Sequence, residues 1–197
     1  MEKKVTYKQA EFITRVASLI PIAIDGRKLP QDTAASVVMA QVGWSAVMQD
    51  YESRMQEALK KMKKEGFDER AQAIGVMEET DRRIKAHKEW DGTGEQPAMP
   101  SDEEIEAAEK TRETAKEFFD ELNELNALYG SAREKEGEKT VPATPSALTR
   151  RELADIIGLL GADGTIQIAA AGADGTPRKE EIGRGALITL IAANLVE

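Results

Sequence analysis

Apolar residues recur through the middle of the chain at alternating steps of four and three: Trp44, Met48, Tyr51, Met55, Ala58 and Met62. That spacing keeps one narrow seam of a helix turned toward a neighbouring helix. Ile105, Ala108, Ala115, Phe119, Leu122 and Tyr129 follow the same rhythm, with Arg112 and Asn126 in polar positions. Helices of this kind are expected to lie lengthwise against other helices, within the chain or between copies of it.

Punctuation around the seams predicts the remaining elements. Thr6 and Gln9 read as a capping box, opening a first helix whose apolar face is Phe12, Val16 and Leu19. Pro21 to Pro30 is a connector with a turn at Asp25-Gly26. A second helix is expected from Asp32, as N-cap, to about Glu65, with Gly66 as its stop. A third follows from Asp68 to about Trp90, where Asp81 interrupts the stripe of Ile74, Met77 and Ile84. Asp91 to Pro100 breaks regular structure. Ser101 with Glu104 then caps a fourth helix running to Tyr129-Gly130, or onward to Glu136.

Beyond Gly137 the pattern changes. Thr149 and Glu152 form another capping box, before a short helix with Leu153, Ile156, Ile157 and Leu160 on one face. Thr165 to Ala171 reads as a strand. Its main-chain groups need a partner near Val141, in a hairpin from Ala171 onward, or in another subunit. Thr176 is expected to cap a last helix with Pro177 at its first position, presenting Leu187, Ile191 and Leu195. The expected architecture is mainly α. A long helical hairpin or bundle with coiled-coil-like seams spans 1–137, a linker 138–148, and an α-rich docking or oligomerisation module with one or two short strands 149–197.

Composition narrows the chemistry. Hydrophobic residues make up 41% and aromatics only 5%, so the core must be built from Ala, Ile, Leu, Met and Val. A net charge of −9 and a pI near 4.9 argue against a general nucleic-acid or anionic-membrane surface. The acidity is uneven: Arg54 to Lys64 carries five bases and one acid, whereas Asp102 to Lys139 carries thirteen acids and six bases. Antiparallel packing of those stretches would gain modest Coulomb energy. There is no cysteine, no secretory-type start, and no apolar run of membrane-spanning length; Ala186 to Ala193 is among the longest. A cytoplasmic or virion-associated location is expected.

Candidate chemistry is sparse. His87 is the only histidine, so imidazole metal sites are excluded within one chain. Ser45 lacks the second glycine of a nucleophile elbow. Gly92-Thr93-Gly94 and Gly172 to Lys179 lack the order of a phosphate-binding loop. Glu106, Glu109, Glu113 and Glu117 line one helix face beside Lys110 and Lys116, which reads as a solvated surface. No catalytic, cofactor or metal residue is therefore assigned, and no small-molecule substrate is evident. The residues expected to meet a partner are Trp44, Met48, Tyr51, Met55, Met62, Phe119, Leu122, Leu187, Ile191 and Leu195. A non-enzymatic structural or assembly protein fits this pattern, either self-associating as a homo-oligomer or docking to a larger complex such as a phage particle. The alternative is a regulatory nucleic-acid-associated protein using Arg150, Arg151, Arg178 and Lys179.

Overall fold

Thr6, Ser101 and Thr149 each start a helix by the same local device. The Thr6 hydroxyl accepts from Gln9 N at 3.3 Å while Gln9 Oε1 accepts from Thr6 N at 2.9 Å. The corresponding distances are 3.2 and 2.7 Å for Ser101 and Glu104, and 3.3 and 2.6 Å for Thr149 and Glu152. Each box satisfies main-chain donors that a helix start otherwise leaves unpaired.

The computed structural model describes residues 4–141, 147–171 and 177–197. In chain order its elements are α1 (Tyr7–Ser18), β1 (Ala23–Ile24), β2 (Arg27–Lys28), α2 (Gln31–Met62), α3 (Phe67–Lys88), α4 (Asp102–Gly137), α5 (Arg150–Leu160), β3 (Thr165–Ala171), β4 (Pro177–Gly183) and α6 (Arg184–Leu195). The fold is mainly α, with two antiparallel strand pairs, β1–β2 and β3–β4. Contacts divide it into two units, one of residues 1–54 with 134–197 and one of residues 55–133. The described parts of the linker expected at 138–148 belong to the first unit.

In the first unit, α6 packs against α1, α5 and β4. Its buried stripe is Leu187, Ile191 and Leu195, each contributing roughly 1.5–3 kcal/mol by leaving water. The expected face of α1 is corrected: Tyr7, Ala10, Ile13, Val16 and Ala17 point inward, as does Ile20 just beyond the helix, while Phe12 is exposed. The steps from 10 to 13 and 17 also run at three and four, and the alanines allow close approach. Both described ends of the 138–148 segment are tied down. Tyr7 N donates to Lys139 O at 3.1 Å and Val141 N to Val5 O at 2.8 Å, while Leu148 N donates to Leu195 O at 2.6 Å.

Asp25 and Gly26 have φ of 51° and 76°, the two left-handed residues of a tight hairpin between β1 and β2, so the expected turn is present. Arg184 holds several elements together. Its Nη1 donates to Leu160 O at 2.9 Å at the end of α5, and its Nη2 lies 3.2 Å from Asp25 Oδ2. Its main-chain N donates to Gly164 O at 3.2 Å at the base of β3.

Pro177 begins a strand, not the last helix, and the expected cap Thr176 lies outside the described residues. The reason is main-chain accounting. β3 needs a ladder, and the next extended segment supplies it in register from Thr165↔Gly183 to Ala171↔Pro177. Proline is tolerated at a strand's first residue.

In the second unit, Phe67, Ile74 and Met77 of α3 pack on Ala108, Ala115, Phe118 and Leu125 of α4, with Leu59, Met62 and Leu122 at the margin. Lys64–Glu124, Arg70–Glu121, Arg83–Glu104 and Arg112–Asp81 flank this core in antiparallel order. Each such surface pair is worth about 0.2–1 kcal/mol, so together they fix orientation more than stability. The expected placement of Phe119 in the seam is corrected. Phe118 occupies it at 6% exposure, stacked against Phe67 at 5.3 Å between ring centroids, and Phe119 is 41% exposed. Gly130 does not end α4, which continues to Gly137.

Phe118→Ala should cost about 3–5 kcal/mol and Phe119→Ala about 1 kcal/mol or less, read from urea denaturation followed by circular dichroism. Equal costs would contradict this seam register. A Cβ at Gly130 would meet nothing within 4 Å. Gly130→Ala should therefore stabilise by about 0.4–1 kcal/mol in the same measurement.

Candidate interaction surface

Residues Thr33 to Gln49 of α2 form a run of 17 without a charged side chain, in a protein that is 32% charged. Two neighbours cover part of this helix. On the α1 side, Gln41 Nε2 donates to Ala17 O at 2.9 Å and to Ile20 O at 3.2 Å, and the Thr14 hydroxyl lies 3.3 Å from Trp44 O. On the α5 side, the Thr33 hydroxyl donates to Asp155, and Ser36 hydrogen-bonds Glu152. Val37, Ala40 and Trp44 are buried. The remaining face is open: Ala35, Val38, Met39, Val42, Ser45 and Ala46 are exposed. Val38 is 41%, Met39 64% and Val42 59% exposed, in positions related by one helical turn.

Most residues expected to meet a partner are instead used by the chain's own core. Trp44, Tyr51, Met55, Leu187, Ile191 and Leu195 are buried within a single copy, and Met48, Met62 and Leu122 are half-buried. Only Phe119 is exposed. The inward seam of α2 was legible; its outward neighbours Val38, Met39 and Val42 were not singled out. Their signal was the absence of charge on every face of the helix, which heptad counting from Trp44 passes over.

Polar clusters elsewhere have structural partners. The Tyr7 hydroxyl donates to Asp50 Oδ2 at 2.8 Å, Arg54 pairs with the same oxygen at 3.0 Å, and Arg54 also reaches Glu136 at 3.7 Å. The Tyr7 hydrogen bond, then Arg54, holds the Asp50 carboxyl below its ordinary range. Burial, then the Asp50 carboxylate, raises the Tyr7 phenol above its ordinary value. A main-chain hydrogen bond from Ser101, then Arg83, lowers Glu104. Burial acts upward on Glu152, but hydrogen bonds from Ser36 and Thr149 outweigh it and lower its pKa.

His87 Nδ1 lies 2.7 Å from Pro97 O and must carry the proton, since a carbonyl only accepts. Glu106, Glu109, Glu113 and Glu117 are all exposed. Among the described residues, no group of three or more His, Asp or Glu is placed to hold a metal ion, and no helix is long and apolar enough to cross a membrane. Trp44 Nε1 is buried without a partner among the described residues, beside a cavity of about 270 Å³ that Val5, Ile13 and Leu195 also line. An unpaired buried donor costs about 1–3 kcal/mol. Arg150 and Arg151 are exposed at the start of α5, and Lys179 on β4; the Arg178 side chain lies outside the described ones.

The pKa shifts predict the pH profile of stability. Asp50, Glu104 and Glu152 are lowered in the folded state, so their contribution is present above the ordinary carboxylate range and lost as pH falls through their folded values. Tyr7 is raised, so its contribution holds below its ordinary value of 10.0 and is lost as pH rises through the folded value. The urea midpoint should therefore be flat from about pH 5 to 9 and fall on either side. Asp50→Asn should shrink both falls. An unchanged profile in that variant would contradict the assignment.

No protein-family model matches the chain, and comparison with curated proteins and with solved structures likewise gives no match.

Proposed function

We propose that this chain is a non-enzymatic assembly protein that self-associates through the uncharged outer face of α2. One observation carries the reading: Val38, Met39 and Val42 stand exposed on a helix run that has no charge from Thr33 to Gln49. A helix face that only meets water is normally charged or polar. Two copies meeting at this face would bury apolar surface without desolvating an ion, so the usual penalty for interfacial charge is absent. A two-fold contact brings the same patch of each copy together, so this face would meet its own counterpart. Ala35, Ser45 and Ala46 are small enough to let two helices approach closely.

The acidic balance suits the same role. A net charge of −9 keeps copies apart except where a neutral patch lets them meet. A component of a phage or other large particle is a setting in which such a contact would be used. The buried seam residues belong to the fold, and the self-association surface is Val38, Met39 and Val42.

Light scattering coupled to size exclusion tests this directly. The unaltered chain should form a defined oligomer whose population rises with concentration. Met39→Glu with Val42→Glu should return it to a monomer that melts at the temperature of the unaltered chain diluted to its monomer, because both positions are exposed in a single copy. A monomer at every concentration, or an oligomer that ignores the double substitution, would contradict the proposal.

A further inference from the structure

The two strands of the β3–β4 hairpin differ in a way that folding of this chain alone does not require. β4 reads Pro-Arg-Lys-Glu-Glu-Ile-Gly, with a proline at its first residue and four consecutive charges. Those are the devices that keep an edge strand from pairing further. β3 reads Thr-Ile-Gln-Ile-Ala-Ala-Ala and has neither charge nor proline. It has the composition of a strand paired on both sides, yet among the described residues it pairs only with β4.

The register identifies which groups are left over. Arg184 N donates to Gly164 O, in line with the Thr165↔Gly183 pairing. Bonded and non-bonded pairs alternate along an antiparallel ladder. Ile166 and Ile168 therefore bond across to β4, and the main-chain groups of Thr165, Gln167 and Ala169 point outward. The side chains of Thr165 and Gln167 are exposed, whereas those of Ile166, Ile168 and Ile182 are half-buried. Arg184 fixes the base of the hairpin to the end of α5 and to the β1–β2 turn, so the edge is held in place.

We infer that the outer edge of β3 pairs antiparallel with β3 of a second copy, making a four-stranded sheet with the two β4 strands outermost. This rests on the self-association reading and adds a second contact to it. Pairing β3 with itself puts the two uncharged strands in the middle, where no like charges face each other. It also puts the charged β4 strands at both ends, which closes the sheet at four strands. The main-chain hydrogen bonds supply the affinity. Pairing through β4 would instead take the charged side chains of Lys179, Glu180 and Glu181 of two copies out of water.

The test is amide hydrogen exchange with light scattering on the full chain, comparing the unaltered protein with Gln167→Pro, Gln167→Ala and the α2 double substitution. Proline at 167 removes an outward N–H and leaves the bonds to β4; alanine keeps both. Exchange at Gln167 and Ala169 should slow as concentration rises, while Ile166 and Ile168 stay unchanged and report an intact hairpin. Gln167→Pro should weaken this contact by about tenfold or more, and Gln167→Ala should not. If the protein associates but the Gln167 and Ala169 amides exchange at one rate throughout, the strand inference fails and self-association stands. Slowing that persists unchanged in the α2 double substitution supports the strand contact and contradicts the α2 face. A monomer at all concentrations overturns both, and slowing seen only when a different protein is added overturns pairing with a second copy.

Discussion

A helix as long as α2, at 32 residues, depends on burying an apolar stripe along its length. Everything else in the first unit follows from how that burial is achieved. Val37, Ala40, Trp44 and Tyr51 turn inward, α1 bonds to α2 through Gln41 and packs Tyr7 on Tyr51, α5 bonds to α2 through Thr33, and α6 packs on α1 and α5. With aromatics at 5%, small and aliphatic side chains do most of this packing, which requires close approach and exact register. The alanines of α1 and the Gln41 bonds to Ala17 and Ile20 are how that register is kept. With the seam closed inside the chain, the apolar residues on the opposite side of α2 stand exposed.

Much of the architecture was legible because it is set by local rules. The capping boxes at Thr6, Ser101 and Thr149, the turn at Asp25-Gly26 and the break after Trp90 depend on residues within a few positions of each other. The α2 seam was legible for a related reason: its period is long enough to be unambiguous. Phe118 and Phe119 were not distinguishable in this way. Adjacent phenylalanines both fit a loose heptad, and only Phe67 on α3 decides which one turns inward. The β4 strand was legible only as one of three partners open to β3, a hairpin from Ala171 onward. Thr-Pro is a good helix start locally, and it was overruled by the demand of β3 for a hydrogen-bonding partner.

The candidate surface was harder to read than the fold because periodicity marks what is buried and says little about what is left exposed. Trp44, Tyr51, Met55, Leu187, Ile191 and Leu195 stand out in the sequence because the core needs them, and the core has used them. Val38, Met39 and Val42 lie off that period; the uncharged run from Thr33 to Gln49 marks their helix, and the two covered sides of α2 show which of its faces is open. The contrast between β3 and β4 is visible in composition alone. It acquires meaning when the register shows which edge of the hairpin is free.

Methionine oxidation followed by peptide mass spectrometry tests the central claim most directly. Met39 in the first unit and Met99 in the second are both exposed, at 64% and 43%. If the outer face of α2 is a self-association surface, oxidation of Met39 by peroxide slows as protein concentration rises while that of Met99 does not. Oxidation of both residues at rates independent of concentration would contradict the account.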